Sequence, residues 1–338
     1  MQAPDFWTTG AGPWPYLLAP AGWLYGTVGA IERALTRPYK TDVRVICVGN
    51  LTAGGSGKTP VAIALARMLT GEGAKPGFIT RGYGGTASGP IEVDPSRMRA
   101  AAIGDEALLL ARTGPTRDAK KRKTAINSLM AAGVDHIILD DGFQDPALVK
   151  DVSLVVVDGE TGFGNGRCIP AGPLREPIET GLARADAVVV MGPDRAHVTD
   201  QVASLAPDLA VFTARLVPSA ASSRLRGRRV FAFAGIGRPE KFRATLVEIG
   251  ADIQGFKPFA DHHLYKDDEV SLLMGEAMAA DAMAVTTAKD WVRLKSAFRD
   301  QVEVVEVEAL VEDERALMAL ISGGRYPSGQ PAEPGRDA

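Results

Sequence analysis

The sequence predicts an α/β protein with a doubly wound, mainly parallel sheet and a second, smaller α/β domain. Short apolar runs rich in β-branched residues alternate with helical patterns between residues 45 and 192, as in right-handed β-α-β crossovers. The first run leads into a glycine-rich turn of the P-loop type, and a second alternating series begins near Gly227. An aromatic, uncharged N-terminal stretch adds a predicted membrane-interacting helix.

Each predicted strand is bounded by a helical pattern or a turn. In the first series the near-continuous apolar runs predict strands covered on both faces. These strands lie at 45–49, 76–80, 136–141, 152–158 and 185–192, with helices at about 58–71, 104–112 and 116–132. In the second series, strands are predicted at 228–237, 251–259, 283–287 and 302–308, with helices at 239–249 and 268–279.

These patterns divide the chain into four parts. We assign 1–40 to an N-terminal interfacial helical segment, 41–217 to the P-loop domain and 228–321 to a C-terminal α/β domain. Between the domains, the segment near 215–228 is polar and basic. Residues 322–338 are rich in glycine and proline and are predicted to form a disordered tail.

The composition excludes several classes of protein. A formal net charge of −3 and a pI near 5.9 argue against nucleic acid as a partner. The two cysteines, Cys47 and Cys168, offer neither a disulfide framework nor a thiolate metal site, and they fit a reducing compartment.

The N-terminal stretch carries no charge from residue 6 to residue 31 and holds Trp7, Trp14 and Trp23. Its prolines and glycines make it a poor membrane span. From about Pro20 an amphipathic helix is predicted, with an apolar stripe of Leu24, Val28, Ile31 and Leu35. Tryptophan and tyrosine favour the membrane–water boundary, so one interpretation is an interfacial helix. The alternative is a helix that packs on the protein's own core.

Residues 45–60, VICVGNLTAGGSGKTP, have the layout of a phosphate-binding loop between a strand and a helix. We expect Lys58 to reach the β- and γ-phosphates of a nucleotide such as ATP, and the Thr59 hydroxyl to hold Mg²⁺. The backbone around the phosphates would come from Thr52, Ala53, Gly54, Gly55, Ser56, Gly57, Lys58 and Thr59. The usual pattern has glycine in place of Thr52, and the alternative is a chance Gly-Lys-Thr turn.

Two adjacent carboxylates, Asp140 and Asp141, end an apolar strand. In P-loop proteins such a carboxylate meets the Mg²⁺ that bridges the β- and γ-phosphates. The alternative is an ordinary Asp-Gly turn at the end of a strand.

Three further places offer side chains for chemistry. Arg175 and Glu176 lie between two prolines that stiffen the backbone. Asp105 begins a helical pattern, where the commoner role of an aspartate is the N-cap. The run 261–263, Asp-His-His, lies in a loop after a strand, and such a run can serve catalysis or a metal.

Together these motifs resemble the tetraacyldisaccharide 4′-kinase family, the lipid A 4′-kinases of Gram-negative bacteria. The resemblance covers about residues 50–295 and rests on VGNLTAGGSGKTP, RGYGG, GDEA, ILDDGFQD, FGNGRCIPAGPLREP, AFAGIGRPEKF, DHHLY and TTAKDWVRL. It implies transfer of the γ-phosphate of ATP, with Mg²⁺, to the 4′-hydroxyl of a lipid A disaccharide 1-phosphate precursor. The enzyme would be a monomer with its active site in a cleft between two domains. It would be bound peripherally at the cytoplasmic face of the inner membrane.

The resemblance also implies roles for individual residues. Lys58 and Thr59 would take the phosphate-loop roles, and Asp140, Asp141 and Glu176 would serve the metal. Asp105, assisted by His262 or His263, would activate the sugar hydroxyl, while Arg175 and Asp261 would contact the substrate. Two positions depart from the family pattern: Ala107 stands where proline is usual, and Asp145 stands where histidine is usual.

Two other classes of function compete with this interpretation. The first is a P-loop regulatory or metallochaperone-type nucleotidase, which would need switch-like segments and Cys/His metal ligands that this sequence lacks. The second is a membrane-associated scaffold that merely binds nucleotide. Consumption of ATP that depends on a lipid-disaccharide acceptor distinguishes the kinase from both.

Overall fold

The computed structural model describes residues 4–81, 90–119 and 122–323. The strands are β1 (Arg44–Gly49), β2 (Pro76–Thr80), β3 (Ile91–Glu92), β4 (Thr116–Asp118), β5 (His136–Asp140), β6 (Val152–Asp158), β7 (Ala187–Met191), β8 (Ala210–Pro218), β9 (Arg229–Ala234), β10 (Asp252–Pro258), β11 (Met283–Thr287), β12 (Glu303–Val305) and β13 (Val307–Val311). The helices are α1 (Phe6–Thr9), α2 (Trp14–Leu17), α3 (Ala19–Leu35), α4 (Lys58–Gly71), α5 (Ala100–Ile103), α6 (Asp105–Ala111), α7 (Arg122–Ala131), α8 (Ile178–Leu182), α9 (Val198–Leu205), α10 (Pro239–Ile249), α11 (Asp267–Ala279), α12 (Ala288–Trp291), α13 (Ser296–Arg299) and α14 (Glu314–Ile321), and Ala220–Leu225 form a 3₁₀ helix.

The chain divides into two compact units that differ from the predicted domains. Unit 1 comprises Met1–Thr80, Lys121–Arg215 and Ala309–Ala338, and unit 2 comprises Arg81–Lys120 and Leu216–Glu308. The segment 81–120, which the sequence placed in the P-loop domain, therefore belongs with the C-terminal α/β elements. Residues 82–85 of the RGYGG motif and the predicted tail from residue 324 lie outside the described residues.

Unit 1 is built on a parallel sheet in which β1 lies between β5 and β6. The strand order from one edge is β8-β7-β6-β1-β5-β2, and each neighbouring pair in this run is parallel. The chain proceeds from β1 toward one edge and later returns to the other side of β1, so the strand order reverses there. In open α/β sheets ligands bind at such a switch point, beyond the carboxyl ends of the strands.

The core of unit 1 confirms the prediction of strands covered on both faces. Every residue of β6 and β7 is buried. Helix α4 buries Val61, Leu65 and Leu69, which are spaced four residues apart and so lie on one face of the helix. The phosphate-loop segment is thus held between a buried strand and a packed helix.

Unit 2 has a second sheet of four parallel strands in the order β10-β9-β11-β12, and a short antiparallel pair formed by β3 and β4. Helices α5 and α6 pack on the chain that follows α12, because Ile103, Ala107 and Leu108 share a buried cluster with Val292. This packing places the start of α6, and with it Asp105, within unit 2.

Three predicted elements need correction. The helix predicted over 116–132 begins only at Arg122, because Thr116–Asp118 form strand β4 with polar side chains that carry no apolar pattern. Strand β8 was missed, since Ala210–Pro218 lies where a boundary was predicted. The single strand predicted over 302–308 is two strands, β12 and β13.

Candidate active site

The phosphate-binding loop follows β1 and ends where α4 begins, at Lys58. Gly54 and Gly57 have φ angles of 122° and 88°, in the region that favours glycine. A side chain at Gly57 would also meet Met191, whose Cγ lies 3.0 Å from the Cβ position. The predicted glycine-dependent turn is therefore present at the N-terminus of a helix, which favours anions.

The segment 173–175 holds this loop from one side. The Ala53 N–H donates to the Pro173 carbonyl at 2.7 Å, and the Arg175 N–H donates to the Leu51 carbonyl at 2.7 Å. Thr52 forms an antiparallel bridge with Leu174 and does not have a positive φ angle. This extended pairing explains why threonine is tolerated where the usual pattern has glycine.

Thr59 and Asp140 meet at the carboxyl ends of β1 and β5. The Thr59 hydroxyl donates to Asp140 Oδ2 at 2.9 Å, and both side chains are buried. Close by in the loop, the Ser56 hydroxyl is one of the few buried side-chain polar atoms of the described residues without a hydrogen-bond partner. These hard oxygen atoms suit Mg²⁺, which usually binds one or two carboxylates plus substrate phosphates. The described residues hold no group of three or more His, Cys, Asp or Glu side chains that would form an all-protein metal site.

Asp141 lies beside the phosphate loop and faces two cations. Its Oδ1 atom is 2.8 Å from Arg175 Nη1 and 3.8 Å from Lys58 Nζ. Asp141 has a φ angle of 59°, which is uncommon outside glycine, and its N–H donates to the Val48 carbonyl at 3.0 Å. These contacts indicate that Asp141 orients Lys58 and Arg175, in addition to its predicted role as a metal ligand.

The predicted metal role of Glu176 is not supported by its surroundings. Its carboxylate is buried and is engaged by Arg184, by Arg33 of α3 at 3.4 Å and by the Gln144 side-chain amide at 3.1 Å. Two guanidinium groups already balance its charge, and through these contacts Glu176 joins α3 to the segment beside the phosphate loop, while its metal role stays a prediction.

In unit 2, Asp105 is the first residue of α6 rather than its N-cap, which is Gly104. Its buried carboxylate accepts a hydrogen bond from Arg293 Nη2, and Oδ2 lies 3.5 Å from His262 Nδ1. The predicted approach of Asp105 to the Asp-His-His run is thus observed, but inside one unit rather than between two domains.

The structure distinguishes the two adjacent histidines. His263 stacks on Phe259 with ring centroids 4.7 Å apart, and its Nε2 lies 3.2 Å from Glu269 Oε2. His262 has a left-handed φ angle of 59°, contacts Asp105 and leaves about half of its side chain exposed, with Nε2 3.9 Å from Asp261 Oδ1. His262 is therefore the histidine that can work with Asp105, and His263 packs within the loop.

The pair is electrostatically coupled. Burial alone would raise the pKa of Asp105, but the hydrogen bond with His262 and the charge of Arg293 outweigh it and hold that pKa well below its usual range. The hydrogen bond with Asp105 raises the pKa of His262 above its ordinary value, while burial and Arg293 act against this rise. Of the two groups, the imidazole is therefore the stronger base.

Sequence reasoning missed Arg293 and Asp290. Both lie in the motif TTAKDWVRL, but no periodicity or local turn signal joins them to Asp105, which is 188 residues from Arg293. The available signal was Lys289 and Asp290 in a short helix after a largely buried strand, with Arg293 two residues beyond the end of that helix.

Comparison with known proteins identifies the chain. The sequence model of the family described as "LpxK: Tetraacyldisaccharide-1-P 4'-kinase" matches residues 14–323. The chain belongs to the tetraacyldisaccharide 4′-kinase family. It is 50% identical over 309 residues to the tetraacyldisaccharide 4′-kinase of Paramagnetospirillum magneticum, covering 91% of this chain and 94% of that one. It is 46% identical over 332 residues to the enzyme of Rhodospirillum rubrum, covering 97% and 100%.

A solved structure agrees with this family. The fold superposes with a TM-score of 0.73 on the "apo" form of LpxK from Aquifex aeolicus in complex with ATP, at 26% identity over 91% of this chain and 98% of that chain. The resemblance drawn from the motifs is therefore confirmed, and this protein is a kinase.

The two departures from the family pattern have local explanations. Asp145 pairs with the buried Arg122, 3.3 Å from Oδ2 to Nε, and its Oδ1 accepts from the Ala147 N–H at 3.0 Å. Ala107 is buried in the cluster that holds α6 on unit 2. Both residues are structural in this kinase.

Helix α3 packs through its small residues and exposes its large ones. A Cβ on Gly22 would lie 2.7 Å from the Cys168 carbonyl oxygen, and Gly26 faces Pro177. Trp23 is 73% exposed, and the predicted stripe is exposed as well: Leu24, Val28, Ile31 and Leu35. The predicted stripe is therefore exposed, while the face of α3 that carries Gly22 and Gly26 packs on the protein. Within the described part of the chain, no helix has the length and apolar character needed to cross a bilayer.

Proposed function

We propose that this kinase transfers the γ-phosphate of ATP to the 4′-hydroxyl of a lipid A disaccharide 1-phosphate precursor, with the Asp105–His262 pair as the proton acceptor. The observation that carries this proposal is the pair itself. A protein that only binds or hydrolyses nucleotide has no need of a buried carboxylate that raises the basicity of an exposed imidazole. A kinase with an alcohol acceptor does need a base near the attacking oxygen.

On the donor side, the phosphate loop and Lys58 would bind the β- and γ-phosphates. Thr59 and Asp140 would hold Mg²⁺, with Asp141 as a further ligand when the metal is present. The metal would neutralise charge that develops on the phosphates. Lys58 and Arg175 would add fixed positive charge. Both side chains contact Asp141 Oδ1, which supports their action at the same phosphate groups.

On the acceptor side, the outward-facing Nε2 of His262 would take the proton as the sugar oxygen bonds to phosphorus. Asp105 would hold the imidazole through Nδ1 and stabilise the imidazolium that forms. Asp261, exposed beside Nε2, would accept hydrogen bonds from neighbouring sugar hydroxyls. The order of the two groups follows from their pKa directions, because the ionised Asp105 is a weak base and His262 a stronger one.

The substrate is a lipid, and the N-terminal surface suits a membrane. We propose that α3 lies in the membrane–water interface at the cytoplasmic face of the inner membrane, as a peripheral contact. Its exposed tryptophan and aliphatic side chains support this position. We also propose that the enzyme acts as a monomer, which sedimentation of the purified protein would test.

Radiolabel transfer tests the proposed function. Purified protein is incubated with γ-labelled ATP, Mg²⁺ and a purified lipid A disaccharide 1-phosphate precursor, and the label is followed into lipid. One mole of ADP should form for each mole of labelled lipid, and ADP formation should fall to background without the acceptor. ATP hydrolysis at the same rate without lipid would instead support a nucleotidase.

A further inference from the structure

A buried group of polar side chains in unit 2 lies behind the proposed base. Its centre is Asp290, which is fully buried and accepts hydrogen bonds from the Tyr265 hydroxyl at 2.9 Å and the Thr287 hydroxyl at 2.6 Å. The Gly235 N–H also donates to Asp290, at 3.0 Å. Such a network is rigid because Oδ1 accepts from both Tyr265 and Gly235 while Oδ2 accepts from Thr287.

Arg293 connects this network to the base. Its Nη1 donates to Asp290 Oδ1 at 2.9 Å and to the Gly235 carbonyl at 2.6 Å. Its Nη2 donates to Asp105 Oδ2 and lies 3.3 Å from His262 Nδ1. The guanidinium side chain is 2% exposed, so solvent does not replace these contacts. The planar fork of arginine can serve both sides at once, which the single ammonium of lysine cannot do.

The Gly235 carbonyl fixes the backbone of His262 as well. It accepts the His262 N–H at 3.1 Å, beside the bond from Arg293. A Cβ at Gly235 would lie 3.0 Å from the His263 Cβ and 3.1 Å from Asp290 Oδ1, so a larger residue would press on both neighbours. The left-handed backbone of His262 is thereby held in place.

We propose that Arg293, braced by Asp290 and Gly235, is a positioning residue that orients both members of the Asp105–His262 pair. Arg293 also influences the protonation state of His262. The positive charge of Arg293 opposes a second cation beside it. The Nδ1–H of a neutral His262 faces the Asp105 carboxylate, which leaves Nε2 unprotonated. Arg293 thus favours an ionised Asp105 with a neutral His262, which is the form ready to accept a proton. This inference rests on the proposed function of the pair.

Removal of Arg293 should change the pH dependence in a defined direction. The charged groups that face His262 are Asp105, Asp261 and Arg293, while Lys289 also acts on Asp105. Without the guanidinium, the pKa of His262 rises because the two carboxylates are no longer opposed. Since the neutral imidazole is the active form, the acid limb of the kcat profile should move to higher pH.

The test compares Arg293→Met and Arg293→Lys with the control Arg299→Met. Arg299 is an arginine of the same unit that donates to the Leu294 and Val292 carbonyls and is not among the groups that act on the pair. We expect Arg293→Met to lower kcat by about 100-fold, as misplacement of catalytic groups by about 1 Å does, with KM for ATP unchanged. Arg293→Lys should keep the acid limb near its normal pH, because the charge remains, yet lower kcat by about tenfold because the fork is lost.

A second readout does not depend on activity. The chain has four histidines, so the His262 imidazole can be assigned by comparison with His262→Gln and titrated by NMR. Its midpoint should rise in Arg293→Met and stay in place in Arg299→Met. An unmoved midpoint and acid limb in folded Arg293→Met, with a kcat loss no larger than that of the control, would overturn the inference. Full lipid phosphorylation by Asp105→Asn and His262→Gln would instead refute the proposed function of the pair.

Discussion

Replacement of Asp105 by asparagine probes the proposed base most directly, because it keeps the shape of the side chain and removes its charge. Asp105 Oδ2 lies 3.5 Å from His262 Nδ1. At that separation Coulomb's law gives about 1 kcal/mol of attraction to an imidazolium in bulk water and about 5 kcal/mol at an effective dielectric constant of 20. Since Asp105 is buried and His262 is half exposed, we take an attraction of about 2–3 kcal/mol, which corresponds to a loss in kcat of about 30- to 160-fold.

The pH profile of Asp105→Asn carries a second expectation with the opposite sign to that of Arg293→Met. Asp105 raises the pKa of His262, so its removal lowers that pKa and moves the acid limb of kcat to lower pH. Initial rates of lipid phosphorylation from pH 5 to 9 measure both effects, with thermal unfolding to confirm the fold. Glu106→Gln is the matched control, since it is the next residue of α6 and pairs with Lys289. A kcat within about threefold of wild type, or an acid limb that does not move, would contradict the proposed stabilisation of the imidazolium.

Three further predictions concern the phosphate loop, the N-terminal surface and the buried anion. Lys58→Ala should lower kcat by at least about 100-fold without unfolding, and near-normal turnover of the folded variant would exclude this loop as the catalytic ATP site. The double substitution Trp23→Ser and Leu24→Ser changes two exposed positions, so it should leave thermal stability unchanged. It should move protein from vesicles to the soluble fraction, and partitioning equal to that of the wild type would argue against an interfacial α3. Glu176→Gln should destabilise the fold by about 3–5 kcal/mol in denaturant titrations, as when a buried ion pair loses one partner. The Mg²⁺ dependence of kcat should stay unchanged, and a raised Mg²⁺ requirement would instead support the metal role of Glu176.

The parts of the fold that the sequence predicted are those with a clear repeating pattern. Strands β6 and β7 are continuous apolar runs because both of their faces are buried, and α4 shows its buried stripe at helical spacing. Strand β4 has the sequence Thr-Arg-Asp, and its burial depends on tertiary pairing that no local pattern reveals. The assignment of 81–120 to unit 2 depends on the apolar contact of Ile103 and Leu108 with Val292, far along the chain.

The candidate site shows the same division. The contact between Thr59 and Asp140 could be expected, because parallel strands bring their carboxyl ends to one edge of a sheet. The choice of His262 over His263 could not be predicted from the sequence. It depends on the left-handed backbone of His262 and on the stacking of the His263 ring upon Phe259. Arg293 was missed because a buried arginine leaves no signal in sequence until its partners are known.

The pairing of Arg33 with Glu176 has a consequence for how this enzyme can be divided. Arg33 belongs to the surface helix, whereas Glu176 adjoins Arg175, whose guanidinium meets Asp141 beside Lys58. Helix α3 is therefore not an independent module, because it supplies an ion-pair partner to a residue beside the nucleotide site. Truncation of the N-terminus would withdraw a cation from a buried carboxylate one residue from the phosphate site. A different N-terminal helix grafted in its place would have to supply that cation, so the exposed apolar face of α3 and the nucleotide site depend on one connected set of contacts.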